Sequence, residues 1–279
     1  MKKIYIVILN YNGFSDTKRC LDSLHILQDK NYKLYILLVD NGSRNKELIN
    51  LKNYIKKFKD LRLIENKRNL GFAKGNNSAV KIALQNGADY ILFLNNDTKI
   101  EMNFLRNLFK INAAISSPVI KFREFRNRGK FIYDLGGKVN WWTGRTTHFN
   151  LYKSEYAKFT NNKPISVDYV AGCCMLVVRD VFEKIGLFDE KYFMYFEDVD
   201  FCVTAKKHGF KVKVDPTSLI YHKLGGSIGR WSKMAIFHNL SSNFIFISKH
   251  LGLRRITGYS YLFILTIKII IDFIKDNKT

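Results

Sequence analysis

The run Tyr90-Ile-Leu-Phe-Leu94 ends in Asn95-Asn96-Asp97-Thr98; much further along stand Phe196-Glu197-Asp198-Val199-Asp200 and then Tyr221-His222. A carboxylate emerging at a strand end is a hard oxygen donor, suited to Mg2+ or Mn2+ beside phosphates. The first turn of a helix fans its side chains, so Asp198 can face an incoming hydroxyl as general base while its neighbours point elsewhere. A histidine at a strand end can complete a metal's ligand set. The chemistry such a set serves is attack of a hydroxyl on a centre whose leaving group is a phosphate. Each part also has an ordinary role: Asp97 or Thr98 can cap a helix starting near Glu101, acids suit a helix N-terminus, and a lone histidine is commonly a surface residue. The helix dipole alone does not account for three acids in four residues.

The elements that would position these groups are legible in the first hundred residues. Residues 4–9, 34–39, 62–64 and 90–94 are short, nearly continuous apolar runs, as strands buried on both faces should be. Between them, Cys20, Leu24 and Leu27 share a helical face after a Ser15 cap, and Leu48, Leu51, Ile55 and Phe58 do so after Ser43. Ala79, Ile82 and Ala83 mark a third helix ending near Gly87. Strand–helix units of this length predict an α/β fold with a mostly parallel, doubly wound sheet, which binds ligands beyond the carboxyl ends of its strands. The polar residues at those ends are Asn10, Asn12, Asp40, Asn41, Asn66, Asn69, Asn95, Asn96 and Asp97. Asp40 suits a nucleobase N–H or a ribose hydroxyl, or an Asx turn into Asn41-Gly42-Ser43. Gly71-Phe-Ala-Lys-Gly75 matches neither dinucleotide fingerprint nor P-loop, although Lys74 can reach a phosphate.

Residues 121–163 break this pattern with a polar, glycine- and aromatic-bearing stretch that reads as hairpins or a mobile loop. Trp141 and Trp142 within it can stack on a sugar ring or anchor the loop. Residues 168–178 return to a strand pattern, 179–185 to a helix and 197–208 to another; 211–214 and 218–221 read as two closing strands. The four cysteines lack CxxC spacing and read as reduced core thiols. Met1-Lys-Lys followed by an apolar run lacks a signal-peptide cleavage site and reads as the first core strand.

Forty-six basic against 24 acidic residues give a net charge of +22, which suits a polyanion or an anionic leaflet. Residues 223–279 hold nine Lys/Arg and two Asp. Residues 259–275 are strongly apolar, but Lys268, Asp272 and Lys275 interrupt them too soon for a spanning helix. Two readings stay open for this segment: a helix lying in the membrane interface, or one packed on the domain.

Taken together, Ile8-Leu-Asn-Tyr-Asn-Gly13, Val39-Asp-Asn-Gly-Ser43, Asn69-Leu-Gly-Phe-Ala-Lys-Gly-Asn-Asn77, Leu92-Phe-Leu-Asn-Asn-Asp-Thr98, Gly186-Leu-Phe-Asp-Glu190, Tyr195-Phe-Glu-Asp-Val-Asp200 and Tyr221-His222 resemble the inverting family 2 glycosyltransferases. Within them the chain resembles the bacterial rhamnosyltransferase-like branch. The resemblance implies a GT-A fold over residues 1–222, with a nucleotide-binding half (1–115), a catalytic and acceptor half (116–222), and a basic helical extension at 223–279. It implies that Asn10, Asn12 and Asp40 contact the nucleoside and that Asn69 and Lys74 lie near ribose or phosphate. Asn95, Asn96 and Asp97 would stand at the metal-binding DxD position, Asp198 would be the base, and His222 would be a second ligand to Mg2+ or Mn2+. Glu197, Trp141 and Trp142 would face the acceptor. Two departures stand out: Asn95 replaces the first Asp of DxD, and Thr204 stands where the family often carries Arg.

The function so implied is sugar transfer from a nucleotide-diphosphate donor, dTDP-rhamnose or a UDP-hexose, to a glycan or lipid-linked acceptor in cell-surface polysaccharide synthesis. The protein would sit in the cytoplasm, peripherally on the anionic inner face of the membrane, without nucleic acid. The rivals are a nucleotidyltransferase, which would carry a glycine- and basic-rich phosphate loop where this chain has Asn10-Tyr-Asn-Gly13, and a non-enzymatic basic module binding membrane or nucleic acid, which leaves the acids at the strand ends unexplained.

Overall fold

The structure is a computed structural model that describes residues 1–24, 27, 31–101, 103–123, 131–152, 155, 163–223 and 232–276. Four parallel strands form its N-terminal half: β1 (Lys2–Asn10), β2 (Tyr32–Asp40), β3 (Leu61–Glu65) and β4 (Tyr90–Asn95). Helices α1 (Phe14–Ser23), α2 (Asn45–Ile55) and α3 (Gly71–Gln85) connect them. Alternate residues of β1 enter opposite cores: Ile4, Ile6 and Ile8 pack with Leu21 and Leu51, while Tyr5 and Val7 pack with Ala79 and Val80. That two-sided burial is why the strands read as unbroken apolar runs.

After β4 come β5 (Thr98–Ile100), α4 (Phe104–Leu108), β6 (Ile115–Arg123), and the hairpin β7 (Phe131–Val139) and β8 (Thr146–Tyr152). Then follow β9 (Ile165–Ser166), β10 (Cys174–Val178), α5 (Arg179–Ile185), α6 (Glu197–Lys207), β11 (Val212–His222), α7 (Lys233–His250) and α8 (Arg255–Asp276). The sheet runs β3-β2-β1-β4-β10-β6-β11-β5, with β7 and β8 added beside β6. Strand β10 is antiparallel to both β4 and β6, so the sheet is mixed, as a GT-A fold requires.

Register brings the polar strand ends level. Asn10 lies opposite Asp40 and Leu9 opposite Asn95, so β1, β2 and β4 finish at one edge. Because β10 runs the other way, with Cys174 opposite Leu94, the residues just before it reach that same edge. The antiparallel pair His222 and Thr98 carries the end of β11 there too.

Several local expectations differ from the structure. Helix α1 begins at Phe14 after Gly13 and has no side-chain cap, so Ser15 lies inside its first turn. Ser43 does not cap α2; its Oγ accepts bonds from Asn12 N (2.8 Å) and Asn10 Nδ2 (3.2 Å), tying two turns together. Gly71-Phe-Ala-Lys-Gly75, for which the sequence suggested no element, opens α3. Gly71 has φ +81°, and a Cβ there would collide with the Phe193 carbonyl, so only glycine fits. The helix expected near Glu101 is α4, which begins at Phe104 after Asn103, and β5 lies between it and Asp97, so Asp97 is not its cap.

The two closing strands are one strand, β11, whose register shifts between Asp215 and Leu219. Asp215 makes that irregularity by accepting bonds from Thr217 N (2.9 Å), Thr217 Oγ1 (2.8 Å) and Ser218 Oγ (2.5 Å). Of the 121–163 stretch, the described part is chiefly the β7–β8 hairpin; residues 124–130 and the side chains of Asp272 and Lys275 lie outside the described residues.

The C-terminal helices share the main core. Phe246, Ile247, Leu251 and Leu262 are buried in the same cluster as Val199 and Phe201 of α6. All four cysteines are buried and free.

Candidate active site

The donor shelf is a buried polar network under the carboxyl edge. Asn10 Nδ2 donates to Asp40 Oδ1 (2.8 Å), and Asn10 Oδ1 accepts from Thr17 Oγ1 (2.8 Å) and Gly13 N (3.2 Å). Asp40 Oδ2 accepts from Ser43 N at 3.0 Å. Asn96 Nδ2 donates to Thr17 Oγ1 at 3.0 Å. Asn41 does the same work on the neighbouring side, donating to Asn69 Oδ1 (2.9 Å) and accepting from Asn66 Nδ2 (3.0 Å).

Asn10 is fully enclosed and Asp40 is 1% exposed, so in this structure they form the floor of the shelf rather than its surface. Asn12, at φ 52°, turns the chain over that floor and accepts from Arg44 N at 2.9 Å. Lys74 sits on the first turn of α3 with its Nζ 3.3 Å from Glu190 Oε2, so a phosphate must compete with that exposed pair. Asn95 is half-buried, its backbone N–H bonded to the Cys173 carbonyl at 2.8 Å.

Asp97 and His222 meet: Nε2 of His222 lies 2.9 Å from Asp97 Oδ1, and Lys223 N donates to the Asp97 carbonyl at 3.0 Å. Burial disfavours the imidazolium, yet Cys173 and Asp97 outweigh it and push His222 up to about 10. Burial also raises the Cys173 thiol, so Asp97 is the formal charge that holds the proton. A carboxylate oxygen and an imidazole nitrogen thus meet at the strand ends, sharing a proton that a metal ion would have to displace. Among the described residues no group of three or more His, Cys, Asp or Glu could enclose a cation. Two protein donors suit an ion that completes its shell with phosphate oxygens and water.

Asp198 joins the same edge through the turn before β10. Gly172 N donates to Asp198 Oδ2 (2.8 Å), and Val199 N to Oδ1 (2.8 Å). The adjoining Cys173 reaches Asn95 through its carbonyl and His222 through its side chain. Burial raises the Asp198 carboxyl above the usual range, and the two backbone N–H groups and the His148 imidazole pull against that rise. Glu197 is buried with Oε2 lacking a partner among the described residues; burial and the Asp198 charge hold it well above its ordinary value. Burial thus raises both carboxyls, and Glu197, which also feels the Asp198 charge, is held well above its ordinary value.

The chain enters α6 through Tyr195 (φ 67°) and Phe196 (φ 65°), two consecutive left-handed residues that cost about 1–3 kcal/mol each. Helix α7 holds this turn: Ser242 Oγ donates to the Met194 carbonyl (2.8 Å), and Phe246 packs on Phe196 at 5.5 Å. Asp200 accepts from Tyr192 OH (3.1 Å) and meets Lys249 Nζ (2.9 Å) and His250 Nε2 (2.7 Å). Thr204 leaves no ion pair within α6, and α7 supplies the partners of Asp200 instead.

Trp141 and Trp142 are not brought to the carboxylates. Lys207 Nζ stands 5.9 Å from the Trp141 ring, at the far end of α6, nine residues or about 13.5 Å along the helix from Asp198. Arg254 covers the exposed Trp142 ring at 4.7 Å, and Thr257 Oγ1 donates to its carbonyl. Trp142 thus packs against the C-terminal helices and Trp141 against the main core.

Sequence reasoning missed Asp134 and His148. The β7–β8 pairing sets His148 Nδ1 2.7 Å from Asp134 Oδ2, and the imidazole stands edge-on to Tyr169 at 5.2 Å. Only the hairpin register could have revealed this pair, and the sequence gave no turn signal strong enough to fix it.

Comparison with known proteins agrees with this geometry. The family model described as glycosyl transferase family 2 matches residues 5–186. The low-salt glycan biosynthesis hexosyltransferase Agl10 of Haloferax volcanii is 26% identical over 211 residues, covering 74% of this chain and 62% of that protein. The dTDP-rhamnosyl transferase RfbF of Shigella flexneri is 25% identical over 226 residues, covering 80% and 69%. The crystal structure of GalNAc-T7 with UDP, GalNAc and Mn2+ shares the fold, with a TM-score of 0.68 at 19% identity over 89% of this chain and 48% of that one. The chain thus spans less than two thirds of the length of Agl10 and about half of GalNAc-T7. On the match over most of its length, this chain belongs to glycosyl transferase family 2.

Proposed function

We propose that the chain transfers a sugar, with inversion, from a nucleotide-diphosphate donor to a hydroxyl of a glycan or lipid-linked saccharide at the inner face of the cell membrane. The observation that carries this reading is the Gly172-Cys173 turn, which ties Asp198 to the strand ends bearing Asp97 and His222. Asp198 accepts the proton of the acceptor hydroxyl as that oxygen attacks the anomeric carbon. Its bond from Gly172 N fixes which oxygen faces the acceptor, and burial disfavours a second charge on the adjacent Glu197. Asn12 and the turns held by Asn10, Asp40 and Asn69 receive the nucleoside and ribose, and Lys74 exchanges Glu190 for a phosphate. Asp97 and His222 would hold Mg2+ or Mn2+, which when bound neutralises charge on the departing diphosphate.

The donor we favour is dTDP-rhamnose, on the likeness to RfbF, with a UDP-hexose the other candidate. Membership in the family leaves the nucleotidyltransferase reading without a supporting observation. The test is a thermal-shift screen of nucleotide sugars with and without Mn2+, since a ligand at a hundred times its Kd stabilises by about 2.7 kcal/mol. One donor class should raise Tm, more so with Mn2+. Asp198→Asn should keep that shift while turnover falls by about two to four orders of magnitude. Wild-type turnover in that variant removes Asp198 from the mechanism.

A further inference from the structure

Of the thirteen large hydrophobic side chains exposed among the described residues, nine lie between Met234 and Ile271. Their spacing is ordered. On α8, Ile256, Phe263, Ile264, Ile267 and Ile271 recur at helical intervals on one side, with Phe263 67% exposed. The other side of the helix, bearing Gly258 and Leu262, faces Ile247 and Leu251. Helix α8 therefore carries apolar residues on an exposed side as well as on the side covered by protein. On α7, Met234, Phe237 and Phe244 form an outward stripe, and Phe244 stacks on Tyr259 of α8 at 4.9 Å, joining the two stripes. Leu253, 89% exposed, closes the hairpin between the helices.

The charges around this surface are of one sign. Between Asp215 and Asp272 the sequence contains no Asp or Glu, while Lys233, Arg254, Arg255 and Lys268 border the stripes. Trp142 contributes a further exposed ring at the rim, capped by Arg254. A wide apolar face with arginines, lysines and a tryptophan at its edge is the signature of a helix lying in the plane of a bilayer interface. No helix among the described residues is long and apolar enough to cross a membrane, which fits lying on one.

We propose that the α7–α8 hairpin is a docking surface for an anionic lipid bilayer, with its apolar stripes at the level of the acyl boundary and Arg254, Arg255 and Lys268 on the headgroups. This deepens the reading above by naming the surface that meets the membrane, and rests on it only for the use of the contact. That use follows from position. His238, next to the exposed Phe237, stacks on Phe193 at 4.5 Å, and Phe193 lies in the segment that leads into Asp198. A bilayer on this face stands close to where a lipid-linked acceptor must present its hydroxyl.

The test is co-sedimentation of the full chain with phosphatidylcholine vesicles, with and without phosphatidylglycerol, beside light scattering of the free protein. Wild type should sediment with the anionic vesicles and stay in solution with the neutral ones. Arg254→Gln with Arg255→Gln should weaken partitioning about 25-fold, at roughly fivefold per cation near an anionic surface. Phe263→Glu with Ile267→Glu should weaken it about a hundredfold or more, because two side chains lose their burial. Since these four side chains are exposed, the nucleotide-sugar thermal shift should be unchanged in both variants. Failure of wild type to sediment, or wild-type partitioning by the Phe263/Ile267 variant, overturns the proposal. So does a wild-type dimer that this variant dissociates, which assigns the surface to a second copy. Vesicle binding without any nucleotide-sugar shift would instead count against the proposed activity alone.

Discussion

At the scale of single residues, the base and its neighbours make a statement about pH. In the proposed mechanism Asp198 works only as the carboxylate, so turnover should fall as pH drops through its pKa, which burial lifts above the ordinary range while Gly172 N, Val199 N and His148 pull it back. Because Glu197 and Asp198 interact closely, the acid limb of kcat/KM belongs to the pair. His148 lowers the Asp198 pKa, so removing its side chain should let that pKa rise. His148→Gln should therefore move the acid limb to higher pH, with donor affinity retained; a limb that stays in place would show that His148 has no electrostatic hold on the base. The sequence made Asp97, Asp198 and His222 legible because each stands beside an unmistakable apolar or aromatic run. Asp134 and His148 were not legible, since a carboxylate and an imidazole fourteen positions apart signify nothing until a hairpin pairs them. Burial was equally hidden: Asn10 and Asp40 look like ligand contacts at strand ends, and only packing shows them spent on one another and on Ser43.

At the scale of elements, the strained entry to α6 is the feature on which the base's position depends. Two left-handed aromatic residues persist only where the surroundings over-determine them. Here the surroundings are α7, through Ser242 on the Met194 carbonyl and Phe246 on Phe196. Phe246→Ala should cost about 3–5 kcal/mol by the usual measure for a buried aromatic. If α7 also shapes the turn, turnover measured well below the new Tm should fall more than donor affinity does. A variant that is merely less stable, with wild-type kcat, would confine α7 to a packing role. The four parallel strands were readable from apolar runs, because burial on both faces leaves little room for polar residues. The closing strand was misread as two because Asp215, Pro216 and Thr217 carry turn chemistry, which the structure uses for an irregularity inside β11. The start of α3 had no clear sequence signal, because a glycine-rich stretch can open a helix as readily as a loop when neighbouring backbone approaches closely.

At the scale of the whole molecule, the boundary expected between residues 222 and 223 separates a sheet from helices without separating two cores. Phe246, Ile247, Leu251 and Leu262 lie in the cluster that also holds Val199, Phe201 and Val203 of the catalytic helix. At about 1.5–3 kcal/mol for each buried side chain, these four contribute roughly 6–12 kcal/mol, comparable with the entire ~5–15 kcal/mol stability of a typical domain. Deletion would also strip the buried Asp200 of Lys249 and His250, leaving Tyr192 to face an unbalanced carboxylate. A chain ending at His222 should consequently lack a cooperative thermal transition and bind no nucleotide sugar. Phe263→Glu with Ile267→Glu, which alters only the outward face of the same segment, should melt as wild type does. The contrast separates the two faces of the C-terminal helices: the inner one completes the fold around the base, and the outer one is left for the membrane. A cooperatively melting 1–222 fragment that binds donor would refute that division and make the helices an appendage.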